Sequence, residues 1–190
     1  IPLRLVGSEM CIRDSYRPGA LLAQAVRAGM AATPLDEACR AVLARLSDDS
    51  GLTAYLSTLN QRETVVLQRL NGSHPVQVLS PPGSRRNASG TAMGRALLSR
   101  LSEAEFQALY GTDAAQPLPM EGRDCPATVG DLARLVAQTR ADHCGVAIDQ
   151  AMPGIGAVAA AVRDPATGEL RGLCLSFVSF QADAARVARL

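Results

Sequence analysis

The chain has 190 residues, of which 47% are hydrophobic and 19% charged, which is enough for one domain with a single core. Its 19 basic and 18 acidic residues leave a net charge of +1, so it lacks the basic field that drives nucleic-acid binding. Its longest apolar runs are far shorter than the roughly 20 residues of a membrane-spanning helix. We therefore expect a cytoplasmic protein without membrane contact that does not bind DNA through this segment alone.

Cysteine usage indicates a reducing compartment. The five cysteines are odd in number and include no CxxC pair, and Cys39 and Cys174 lie in apolar patterns. Such cysteines are typical of buried, reduced thiols and not of a disulfide framework.

The first 30 residues are set apart from the main domain. The stretch 7–15 reads Gly-Ser-Glu-Met-Cys-Ile-Arg-Asp-Ser and resembles translated sequencing-adapter readthrough, so we interpret residues 1–15 as a non-native segment. Residues 16–30 contain an Ala/Leu-rich stretch that ends in Gly29, which predicts a linker helix. The predicted main domain therefore covers residues 31–190.

The first half of that domain predicts a helix followed by strands. Thr33 and Pro34 provide an N-cap and a first-turn proline, and apolar residues then recur at helical spacing until the helix ends near Gly51. Three segments rich in Val, Leu, Thr and Tyr predict an antiparallel meander, over 52–58, 63–70 and 75–79.

The second half predicts three helices and a further set of strands. A loop over 80–89 leads into a helix that begins near Gly90, and capping boxes that start at Ser102 and Thr128 predict two more helices. The remaining predicted elements are strands over 145–149, 157–163 and 169–180 and a helix from 181 to 190. Together these elements indicate an α+β fold, with an antiparallel sheet of about six strands flanked by helices.

Several motifs, in this order along the chain, resemble the effector domain of the IclR family of bacterial transcription regulators. Residues 87–96 read Asn-Ala-Ser-Gly-Thr-Ala-Met-Gly-Arg-Ala and share the family's Thr-Ala-x-Gly-basic-Ala core, although its Pro-Leu-His entry is absent. Residues 140–149, 154–164 and 173–179 resemble its later strand motifs. Residues 16–19 resemble the Tyr-x-Leu-Gly that leads out of the family's winged helix-turn-helix.

The resemblance implies a GAF-like domain that binds a small organic or aromatic acid and assembles into homodimers or homotetramers. It also implies that DNA is contacted only through an N-terminal domain missing from this chain. Neither a cofactor nor a metal is implied, and the domain is not expected to be an enzyme.

The start of the helix near Gly90 is the expected ligand site. The first N–H groups of a helix have no partners within it, and together with the helix dipole they favour a carboxylate. With the resemblance, the expected effector-binding residues are Gly90, Thr91, Ala92, Met93, Asp149, Ala157, Ser176 and Val178. Asp149 has the alternative role of shaping a turn at a strand end, and Ser176 that of satisfying a neighbouring carbonyl.

Other functions stay open at this point. The acidic residues that usually follow the position of Asp149 in the family are absent, which favours a ligand-free oligomerisation module. His143 and Cys144 raise the possibility of a metal or nucleophile site, but adjacent residues in an extended chain point to opposite faces. Arg85 and Arg86 either approach an acidic effector or form a solvated loop face.

Overall fold

The computed structural model describes residues 9–12, 15–19, 21, 33–120, 122 and 124–181. The chain divides into two compact units, Ile1–Pro34 and Leu35–Leu190. In the first unit, β1 (Glu9–Ile12) and β2 (Ser15–Pro18) form an antiparallel hairpin. Of the linker helix predicted within residues 16–30, the stretch from 20 to 30 lies outside the described residues except for Leu21, and the helix predicted over 181–190 lies outside them except for Gln181.

The second unit is an α+β domain. Its elements are α1 (Pro34–Ser50), β3 (Thr53–Asn60), β4 (Glu63–Leu70), β5 (Arg85–Asn87), α2 (Ala92–Leu98), α3 (Glu103–Tyr110), α4 (Val129–Asp142), β6 (Gly145–Ile148), β7 (Ile155–Arg163) and β8 (Leu170–Val178), followed by a short 3-10 helix, Ser179–Gln181. Within the described residues, β3 to β8 form one six-stranded antiparallel sheet in the order β5-β4-β3-β8-β7-β6. The predicted fold class is confirmed.

The predicted third strand of the meander is wrong in position. Residues 75–79 form no strand, since Pro75 has no N–H to offer a ladder and the Val78 carbonyl accepts a hydrogen bond from the Tyr55 hydroxyl. The strand that pairs with β4 is instead β5, which lies inside the predicted loop over 80–89. Its charged side chains are typical of an edge strand.

Alternate residues of the central strands face two different helices. Ala54 and Leu56 of β3 belong to a buried cluster with Leu43 of α1, whereas Tyr55 between them belongs to a cluster with Met93 of α2. This period of two is that of a strand buried on both faces. The sheet therefore lies between α1 and α2.

Two glycines let α2 lie directly against the sheet. A Cβ on Gly172 of β8 would lie 2.3 Å from the Met93 sulfur, and one on Gly145 of β6 would lie 2.7 Å from the Ala92 carbonyl oxygen. Neither approach leaves room for a side chain, so this placement of α2 depends on glycine at both positions.

The two predicted capping boxes are confirmed, and they begin α3 and α4. The Ser102 N–H donates to Glu105 Oε2 at 2.6 Å, and the Thr128 N–H donates to Asp131 Oδ2 at 3.1 Å. In each box the N-cap hydroxyl accepts the N–H of the acidic residue in return.

Candidate functional site

A cleft opens between the sheet and the N-terminal end of α2. It encloses about 750 Å³, a volume that includes the space open to solvent at its mouth. Its walls come from all six strands of the sheet, β3 to β8, from the start of α2, and from residues 78 and 80 before β5 and 151 and 152 before β7. Elements far apart in the chain thus meet around one space.

Five of the eight predicted site residues line this cleft. They are Thr91, Ala92, Met93, Ala157 and Ser176. Ala157 and Ser176 are direct neighbours across the β7–β8 ladder, which puts them on the same face of the sheet. Their contact with a ligand stays a prediction.

The start of α2 is capped by the preceding residue, Thr91. The Thr91 hydroxyl accepts the Gly94 N–H at 2.9 Å, which leaves the N–H groups of Ala92 and Met93 at the cleft end of the helix. Gly90 is buried behind this turn, with the Cys125 sulfur 3.3 Å from where its Cβ would stand, and it is not among the lining residues. Because α2 has seven residues, its dipole is a weak source of anion affinity.

Asp149 shapes the loop after β6 and is not among the lining residues either. Its backbone has a φ of 58°, and its Oδ1 accepts the Gly154 N–H at 2.7 Å and the Ser179 hydroxyl at 2.8 Å. The next residues, Ala151 and Met152, do line the cleft. These contacts correspond to the turn-shaping alternative for Asp149.

Val178 is the third predicted site residue that does not line the cleft. It pairs with Ile155 across the β7–β8 ladder and is half-buried at the end of β8. Ile155 rather than Val178 contributes the apolar wall at this end.

The polar groups deep in the cleft are neutral. Burial raises the pKa of the Cys174 thiol to about 12, so this thiol stays protonated, and its sulfur lies 3.8 Å from the Ser176 hydroxyl oxygen. Burial also raises the pKa of Tyr55, whose hydroxyl donates to the Val78 carbonyl and accepts the Ser80 N–H at 3.2 Å. None of these groups supplies a negative charge at neutral pH.

Arg86 lines the cleft, whereas its neighbour Arg85 does not. Arg85 pairs instead with Glu63 at 2.9 Å. From the sequence, the pair either approaches an acidic effector or forms a solvated loop face. The alternation of side chains along β5 puts Arg86 on the face of the cleft and Arg85 on the opposite face, and contact of Arg86 with a ligand stays a prediction.

His143 and Cys144 do not form a reactive pair. His143 is the exposed left-handed cap of α4, with a φ of 57°. Burial raises the pKa of the half-buried Cys144 thiol, which disfavours the reactive thiolate. Across the part of the chain that the structure describes, no three His, Cys, Asp or Glu side chains come together as a metal site, and no helix is long and apolar enough to cross a bilayer.

A family model, that of the bacterial transcriptional regulator IclR C-terminal region, matches residues 28–190. The chain belongs to the IclR family. This IclR-family chain is 26% identical to the HTH-type transcriptional regulator XynR of Escherichia coli K12 over 176 residues, which cover 91% of the chain and 68% of XynR. It is also 26% identical to the HTH-type transcriptional regulator BhcR of Paracoccus denitrificans over 159 residues, which cover 82% of the chain and 55% of BhcR.

The fold of this IclR-family chain is that of solved IclR structures. The Thermotoga maritima IclR structure superposes with a TM-score of 0.78 at 18% identity, over 96% of this chain and 73% of that one. The chain thus spans about half to two thirds of the curated relatives named above, and those relatives are named as transcriptional regulators rather than enzymes.

Proposed function

We propose that residues 31–190 are the ligand-sensing domain of a cytoplasmic IclR-type transcriptional regulator. A small organic or aromatic acid binds in the cleft and controls the oligomeric state and the operator binding of the full-length protein. The observation that carries this proposal is the cleft itself, which has apolar walls and a few polar groups, as ligand sites have. In this proposal the chain acts as a sensor and not as an enzyme, which the names of its relatives as transcriptional regulators support.

The position of the cleft supports a sensing role. A ligand there would contact the sheet through Ala157 and Ser176 and the helix α2 through Ala92 and Met93. Binding would therefore favour one relative placement of these elements, and a coupling of about 1 to 3 kcal/mol to a second site is typical of allosteric proteins.

DNA contact is proposed for an N-terminal domain and not for residues 31–190. The relatives XynR and BhcR are described as HTH-type regulators, and this chain covers only part of each. Its net charge of +1 does not provide a basic surface for DNA. We expect no sequence-specific retardation of duplex DNA by the 190-residue chain at physiological salt, and nanomolar retardation would contradict this division of roles.

Self-association is part of the proposal. A homodimer or homotetramer would let one binding event affect two DNA-binding domains. Light scattering at micromolar concentration is expected to give at least a dimer mass. A monomer mass throughout a dilution series would overturn this part of the proposal while leaving ligand binding open to its own test.

Ligand binding is tested by thermal shift with a panel of pyruvate, benzoate, 4-hydroxybenzoate, phenylacetate and hexanoate. At a concentration about 100 times its dissociation constant, a bound acid stabilises the folded state by about 2.7 kcal/mol. Ala157→Leu fills the cleft and is expected to abolish the shift, whereas the control Ala160→Leu lies exposed on the same strand and should preserve it. Equal shifts in both variants would place the site elsewhere, and an oligomer that binds no acid would support the ligand-free oligomerisation module.

A further inference from the structure

The two arginines of β5 point to opposite faces of the sheet. Arg86 lies directly opposite Thr64 of β4, and Thr64 lines the cleft. Directly opposed residues of an antiparallel pair share a face, so Arg86 is directed to the cleft and Arg85 away from it. β5 is an edge strand and Arg86 is exposed, which puts its guanidinium at the mouth.

The guanidinium of Arg86 has no acidic partner in the part of the chain that the structure describes. Arg85 pairs with Glu63 on the other face, but no carboxylate among the described residues lies within ion-pair distance of Arg86. No Asp or Glu lines the cleft, so Arg86 is the one charged side chain among its described lining residues. An arginine stays protonated at every physiological pH and presents a planar fork that matches a carboxylate.

We propose that Arg86 binds the carboxylate of the ligand at the mouth of the cleft and selects acids of single charge with an apolar body. The inference rests on the proposed function, and it names the residue that makes the cleft specific for anions. The ligand is oriented with its charge outward and its apolar part inward, against Met93, Ala147 and Ile155.

The rest of the lining explains the preference for one charge. Beyond Arg86, the polar side chains are neutral hydroxyls such as Ser57 and Ser176 and the protonated Cys174 thiol. A second carboxylate on the ligand would have no cation among these groups and the apolar walls, and the N–H groups at the start of the seven-residue α2 would offer it only a weak dipole, so burying the second charge is costly. A neutral amide of the same shape would keep the apolar contacts but lose the charge-assisted pair with Arg86.

The test compares acids with their neutral amides and with a dianion by isothermal titration of the 190-residue chain. The probes are benzoate and benzamide, phenylacetate and phenylacetamide, and hexanoate, hexanamide and adipate. The variants are Arg86→Met, Arg86→Lys and the matched control Arg85→Met, which removes an adjacent arginine of the opposite face.

For the wild type, at least one acid should bind tighter than its amide by about ten- to hundredfold, and hexanoate should bind tighter than adipate. In Arg86→Met the ratio of acid affinity to amide affinity should fall to about one, while the affinity for the amide itself stays within a factor of about two of wild type. Arg86→Lys should retain part of the ratio, since it keeps the charge without the fork, and Arg85→Met should retain all of it. Because the pair is at the mouth, added salt should reduce the ratio.

Two kinds of failure are distinguishable. If wild type binds an acid and its amide equally, or if the ratio survives in Arg86→Met, the role of Arg86 is overturned and the ligand-binding function stands. If no probe of either charge binds the wild type by titration or thermal shift, the proposed function fails and this inference fails with it.

Discussion

Arg171 Nε donates to Asp36 Oδ1 at 2.5 Å and so joins β8 to the first turn of α1. The side chains are 13% and 12% exposed, so both charges are largely removed from water. In such a setting the pair roughly offsets its own desolvation, whereas a single remaining charge is strongly unfavourable. The contact therefore fixes the position of α1 more than it adds stability.

The first prediction concerns this pair. Asp36→Asn should lower the free energy of unfolding by about 2 to 3 kcal/mol, because it leaves the largely buried Arg171 guanidinium with only the more distant Glu169 carboxylate, whose Oε2 lies 3.7 Å from Nη2. The double variant Asp36→Leu/Arg171→Met should regain most of that loss in urea denaturation at neutral pH. Glu37→Gln, an exposed neighbour in the same turn, is the control and should change little. If the losses of unfolding free energy from the two single substitutions simply added in the double variant, the two charges would not depend on each other and the prediction would be wrong.

A second prediction follows from the close contact between α2 and the segment that precedes it, at Ala88. A Cβ on Gly94 would lie 2.0 Å from the Ala88 carbonyl oxygen, a backbone atom in a buried segment. Gly94→Ala should therefore cost about 3 kcal/mol of stability. Gly90→Ala is the matched comparison, since its Cβ would meet only the Cys125 sulfur at 3.3 Å, and it should cost less than about 1 kcal/mol. Equal losses of stability for Gly94→Ala and Gly90→Ala in thermal melts would contradict this explanation for the glycine at position 94.

The third prediction uses the buried hydroxyl of Tyr110, for which the described residues offer no hydrogen-bond partner. Replacing it should cost little at pH 7, so Tyr110→Phe is expected within about 0.5 kcal/mol of wild type. Tyr55→Phe is the control, because the Tyr55 hydroxyl bonds to both Val78 and Ser80, and its loss should cost about 1 to 2 kcal/mol. Similar losses for the two variants would indicate an unseen partner for Tyr110.

The same residue predicts an alkaline effect. Burial raises the pKa of Tyr110 from 10.0 to about 12, against a smaller lowering by Arg62. The folded state keeps its proton where the unfolded state loses it, so this contribution is intact below about pH 10 and is lost as the pH rises to about 12. Wild type should thus lose about 2 kcal/mol relative to Tyr110→Phe over this interval. If the free energies of unfolding of wild type and Tyr110→Phe changed in parallel over this pH interval, the prediction would be wrong.

The elements that could be predicted from the sequence are those with local determinants. The capping boxes at Ser102 and Thr128 involve side chains three residues apart, and the α1 pattern repeats within a few turns. The position of β5 could not be predicted in this way, because Arg85–Asn87 becomes a strand only by pairing with β4 across a long loop. Residues 75–79 have a strand-like composition, but Pro75 and the side-chain bond to Val78 leave them outside the ladder.

Part of the candidate site could likewise be predicted from the sequence. Thr91, Ala92 and Met93 were predicted from a helix start together with the family resemblance, and Ala157 and Ser176 with that resemblance as well. All five line the cleft, and their contact with a ligand stays a prediction. The direction of Arg86 depends on its register with Thr64, which composition does not reveal. By its position alone Asp149 suited a turn more than a ligand contact, and the hydrogen bonds it accepts from Gly154 and Ser179 correspond to the turn-shaping role.

The fourth prediction concerns Asp149. If its carboxylate shapes the loop that carries Ala151 and Met152, Asp149→Asn should fold and bind nearly as wild type, because an amide oxygen can accept the same two hydrogen bonds and asparagine tolerates a positive φ. Asp149→Ala should lose about 2 kcal/mol, since it removes both bonds and strains the left-handed backbone. Urea denaturation measures the difference.

The ligand side of this prediction compares 4-hydroxybenzoate with benzoate. A direct contact between Asp149 and a ligand hydroxyl would raise the affinity for the hydroxylated acid, and Asp149→Asn, which exchanges a charged acceptor for a neutral one, would then reduce the ratio of the two affinities. A carboxylate that only shapes the loop should affect the affinities for 4-hydroxybenzoate and benzoate equally. We therefore expect the ratio to stay unchanged in Asp149→Asn and in Ser179→Ala, although Ser179→Ala weakens both acids by loosening the loop. A ratio that falls in Asp149→Asn alone would place this carboxylate against the ligand.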